Sequence, residues 1–71
     1  MPLYPAVEFA IRISKDGQRD KYVRGSRKQL VTFQRMSSAL EEVKLLRPSL
    51  AVGEFPAVVP IDDVPVKERN R

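Results

Sequence analysis

The side chains able to do chemistry in this sequence are almost all charged: thirteen Lys/Arg stand against nine Asp/Glu, with no His and no Cys. Zinc therefore has neither thiolate nor imidazole to bind, and no Ser-His or Cys-His pair can activate a nucleophile. Metal binding would rest on carboxylates alone, and neither Glu41-Glu42 nor Asp62-Asp63 sits in a calcium-loop pattern. Only Lys or carboxylate catalysis remains, and a chain of 71 residues has little room to build a deep pocket. An enzyme is the least favoured class, and no cofactor is implied. What is left is charge used for recognition.

That charge is unevenly distributed. Residues 1–36 hold eight Lys/Arg against three acids, a net of +5, whereas residues 37–71 hold five against six, a net of −1. The first-half cations Arg12, Lys15, Arg19, Lys21, Arg27 and Lys28 are the candidate contact residues. Their natural counterpart is a phosphate backbone, so a nucleic acid, DNA first, is the expected partner of a small accessory or regulatory protein. The competing reading is that such residues only keep an exposed sheet soluble and its edges unpaired. Base-stacking aromatics are not interleaved among them, since Tyr22 and Phe33 read as core residues.

These cations need a scaffold, and alternation supplies one. From Val7 to Ser14, Val7, Phe9, Ile11 and Ile13 alternate with Glu8, Ala10, Arg12 and Ser14, which predicts a half-buried strand. Asp16-Gly17 accepts the positive φ of a tight turn, so a hairpin follows, returning along residues 19–24. A two- or four-residue loop puts Ser14 opposite Arg19, Ile11 opposite Tyr22 and Arg12 opposite Lys21. Val7, Phe9, Ile11, Ile13, Tyr22, Val31 and Phe33 would then line an inner face. The outer face would collect Arg12, Arg19, Lys21 and Lys28, with Lys15 and Arg27 in the adjoining turns. Asp20 and Arg24 fit this register poorly, because both would point inward.

Residues 27–47 admit two readings. One is a single long helix opened by a Ser26/Gln29 capping box. The other splits it into a third strand over residues 29–35 and a helix capped by Ser38 with Glu41 at the third position. The split is preferred, since Ser37-Ser38 is neutral at best in mid-helix and a lone hairpin on one helix gives a thin core. In the shorter helix Ala39, Leu40, Val43 and Leu46 share a stripe, and both readings stop before Pro48.

The expected fold is α+β: a small antiparallel sheet, hairpin plus third strand, packed on one helix within residues 1–47. Residues 48–71 carry Pro48, Pro56, Pro60 and Pro65 and are expected to form an extended or disordered tail, solvated from Val66 onward. Within it Phe55, Val58, Val59 and Ile61 form an apolar patch. Such a patch docks on a partner protein, adds as a strand to a second copy of the chain, or folds back on its own domain. It carries the alternative function, a protein-interaction module working as adaptor or inhibitor through residues 52–61 or a sheet edge.

Three strands followed by one helix over about residues 7–47, with Thr32-Phe33 closing the third strand, resembles the arm-type DNA-binding modules of phage and transposon recombinases. The resemblance lies in element order and polarity, and it implies a sheet face presented to a groove of DNA. No apolar stretch approaches the about 18 residues that span a bilayer, and the first residues lack the pattern of a signal peptide, so no membrane partner is expected. The reducing cytoplasm is the default compartment for a cysteine-free chain.

Overall fold

The computed structural model describes residues 8–69. Strand β1 (Phe9–Ser14) is central and pairs antiparallel with both β2 (Lys21–Tyr22) and β3 (Phe55–Pro60), giving the sheet order β2-β1-β3. Helix α1 (Met36–Leu46) connects the hairpin to β3, and a single turn, α2 (Val66–Arg69), follows it. The α+β class expected from the sequence is the class observed, an antiparallel sheet with one substantial helix. Val7, expected to open the first strand, lies outside the described residues.

The hairpin forms at Asp16-Gly17, with Gly17 at φ 77° and the Gln18 N–H donating to the Lys15 carbonyl at 3.1 Å. Its register differs from the expectation by one residue. Arg12 pairs with Tyr22 and Ile13 with Lys21, because Arg19 adds a residue after the four-residue turn. Side chains alternate along a strand, so this single slip moves every β2 residue to the opposite face of the sheet. Arg12 and Lys21 point to opposite faces.

The third strand is also not where the sequence suggested. Residues 29–35 contribute only isolated bridges, Leu30 to Arg24 and Phe33 to Phe9. The segment leaves β2 as a small side hairpin, closed by Lys28 N–H to Gly25 carbonyl at 2.9 Å, and returns to β1 at Phe33. Proximity decides the matter: the slot beside β1 is filled by residues 55–60, which pair along all six β1 positions. The expected tail is thus part of the domain, and the element order β-β-α-β departs from the β-β-β-α order on which the recombinase resemblance rested. Residues 66–69, expected as solvated tail, form α2; residues 70 and 71 lie outside the described residues.

Both sheet faces are covered. Ile11, fully buried, lies on the face reached by α1, whose Ala39 and Val43 are its buried residues. The helix starts at Met36 rather than after Ser38, and Arg35 at its N-cap makes no side-chain cap bond. Leu40, expected in the core stripe, is 48% exposed, since Ala39 and Val43 face the sheet and Leu40 flanks them. On the opposite face Ala10, Val59 and Val64 form a buried cluster joined by Tyr22, Leu30 and Ile61. That second layer comes from the chain after β3, which turns through a 3-10 segment (Ile61–Asp63) and lays Val64 across the sheet.

β3 is an edge strand whose outer side is nearly without donors. The Ile61 N–H donates to the Glu8 carbonyl at 2.8 Å, so by alternation Phe55, Ala57 and Val59 direct their backbone groups toward β1. Pro56, Val58 and Pro60 face outward, and the two prolines have no N–H. Only Val58 offers a donor to an incoming strand.

Candidate nucleic-acid interface

The six candidate cations divide into two kinds. Arg12 and Lys21 each face an acid of the protein's own. The Arg12 Nε lies 3.9 Å from an Asp20 carboxylate oxygen, on the face that carries Tyr22 and Ala10. That Nε is shut off from solvent and has no hydrogen-bond partner among the described residues. Lys21 lies on the other face and reaches Glu54 at 3.2 Å. Glu54 also accepts the Ala51 N–H at 2.8 Å, and this backbone bond, followed by the Lys21 ammonium, holds its carboxyl below the ordinary carboxylate range. The flat basic face expected from the sequence is therefore not assembled: both faces are packed, and two of its central cations are turned apart.

Lys15, Arg19, Arg27 and Lys28 make no ion pair among the described residues. Lys15 and Arg19 sit in the β1–β2 turn, while Arg27 and Lys28 sit in the side hairpin that follows β2. Seven residues, 20–26, separate the two groups, and the five before the Gly25 turn span on the order of 15–20 Å. Lys28 is the only non-glycine described residue with positive φ, at 66°. A left-handed L-residue costs roughly 1–2 kcal/mol, so glycine would be the relaxed choice there.

Arg24, read from the sequence as a misfit, is a fastener. Its guanidinium donates to the Lys28 carbonyl and to the Glu68 carbonyl, each at 3.1 Å, and pairs closely with the Glu68 carboxylate. It thereby ties the end of β2 to the side hairpin and to α2. Asp20, the other misfit, is the partner of Arg12. Both difficulties came from the wrong register.

α2, held through Glu68 by Arg24, closes one side of a cleft that the sequence did not suggest. Arg19, Asp20, Tyr22, Pro65, Lys67 and Glu68 line a depression of about 270 Å³ between β2 and the chain end. Lys67 is 45 residues from Tyr22 in sequence, and no local pattern relates them. Of the apolar partner-binding candidates, Val59 is buried, Val58 and Ile61 are half-buried, and Phe55 is 65% exposed. Val52, three residues earlier in the chain, is 96% exposed.

Among the described residues no group of acids is placed to hold a metal ion, and no helix is long and apolar enough to cross a membrane. No protein-family model, curated protein or solved structure matches the chain.

Proposed function

We propose that this chain is a small, non-catalytic accessory protein that binds nucleic acid, DNA first, through cations on the two turns flanking β2. The contact residues are Lys15 and Arg19 on one turn and Arg27 and Lys28 on the other, in a cytoplasmic setting. The observation that carries this reading is the charge left over after internal pairing. Residues 15–28 contain six cations and two acids, and four of those cations have no described acidic partner. Two groups on the order of 15–20 Å apart can reach phosphates on both sides of a major groove about 12 Å wide. Lys28 holds its charge at a left-handed backbone position where glycine would be relaxed, the kind of local strain that gathers at functional sites.

Fluorescence polarisation with a labelled duplex tests the reading. Affinity should fall linearly in log-log coordinates with added salt, and charge reversal of Arg27 and Lys28 together should lower both affinity and salt slope. Lys28→Gly separates binding from folding: the variant should be at least as stable as the parent and bind more weakly. Absence of binding to duplex and single-stranded probes at low salt sinks the proposal. The second reading, a protein-interaction module, is favoured by the exposed Val52 and Phe55. Phe55→Ser should then abolish capture of a protein partner while leaving the fold intact.

A further inference from the structure

We propose that the cleft between β2 and α2 is a seat for a single phosphate group. This deepens the nucleic-acid reading and rests on it for the source of the phosphate, although the cleft's chemistry stands on its own residues. Arg19 and Lys67 line the cleft and have no acidic partner among the described residues. The two acids that also line it are already committed, Asp20 to Arg12 and Glu68 to Arg24. Four cations thus surround two carboxylates, leaving a local excess of two positive charges. Tyr22 lines the same wall, and its phenol is of a type able to donate a hydrogen bond.

Arg12 adds positive charge behind this wall. It is opposite Tyr22 in the sheet, and its Nε is desolvated without any partner closer than the Asp20 oxygen at 3.9 Å. Arg12 is not part of the cleft lining, so an anion there would offset its positive charge without pairing with that N–H. A phosphomonoester dianion matches the excess of two, and a backbone phosphodiester, a monoanion, still meets more positive than negative charge. A cation or an apolar ligand matches neither the charge nor the donors. When the phosphate belongs to a nucleic-acid backbone, the cleft fixes the register of the β1–β2 turn on that backbone; a small phosphorylated molecule would use the same donors.

Inorganic phosphate is the probe, titrated into the full chain and followed by backbone amide NMR against sodium chloride of equal ionic strength. The expected result is saturable shifts confined to residues 19–22 and 66–68, weakened about tenfold by Arg19→Gln and by Lys67→Gln, which are exposed changes. Tyr22→Phe, removing only a hydroxyl, should give a smaller loss with the fold retained. Shifts no larger than those from chloride, or unaffected by Arg19→Gln and Lys67→Gln in folded variants, overturn the proposal. Absent phosphate shifts together with salt-dependent duplex binding that survives Lys67→Gln unchanged would overturn the seat and leave the nucleic-acid reading intact. Phosphate binding without duplex binding would sustain the cleft and assign it to a small phosphorylated ligand.

Discussion

The two faces of the sheet are covered by different kinds of chain, and only one kind announces itself. The Ile11 face is closed by α1, an 11-residue helix whose buried Ala39 and Val43 are four residues apart. The Ala10 face is closed by residues 61–64, an irregular turn that buries Val64 to 1% exposure. A helix covers a sheet through a repeating stripe; the turn does so through one well-placed side chain. Periodicity is visible in a sequence, whereas a single anchor is not. The protein depends on both, because a domain of this size removes only about 60% of its unfolded surface from water.

Deleting or hollowing out either cover shows how much of the fold it holds. The largest effect is expected from truncation after Pro48, which deletes β3 and the Val64 layer together. The product should be unfolded by circular dichroism and by amide dispersion in NMR; a folded remnant would mean that the second face is not part of the core. Ile11→Ala attacks the helix-covered face and should cost about 2–5 kcal/mol in a denaturant melt. Val64→Ala attacks the other and should cost roughly 2 kcal/mol. A loss below about 0.5 kcal/mol there would reduce the last turn to a surface ornament.

The smallest effect concerns the Glu54 tether. Its folded-state titration lies below the ordinary value of 4.5, through the Ala51 N–H and then Lys21. A carboxylate with a depressed pKa contributes stability above its unfolded value and loses it as pH falls through the folded one. Stability should therefore drop on acidification below about 4.5 more steeply in the parent than in Glu54→Gln, as read from melting temperatures across that range.

The hairpin, the fold class and the end of the helix before Pro48 were legible because each rests on local chemistry: alternation, Asp16-Gly17, and the angles proline imposes. The register was not legible. A loop of odd length needed only Arg19 as an extra residue, and nothing in the composition of Lys15–Arg19 distinguishes that loop from an even one. The consequence was large, since the imagined outer face of Arg12 and Lys21 existed only in the other parity. The third strand was misplaced for a different reason. Val31-Thr32-Phe33 has the higher pleated propensity, but residues 55–60 match β1 over its full length, and tertiary pairing outweighs propensity. The cleft was invisible because Lys67 and Arg19 meet only after the chain end folds back.

Pro56 and Pro60 reach further than the strand they sit in. Cross-β growth needs each added layer to find an uninterrupted row of amide hydrogens, and on this flank of the sheet the row is broken at two of every three positions. A concentrated solution should consequently resist seeding along that flank. Replacing both prolines with Thr or Val would leave a template open to fibril extension.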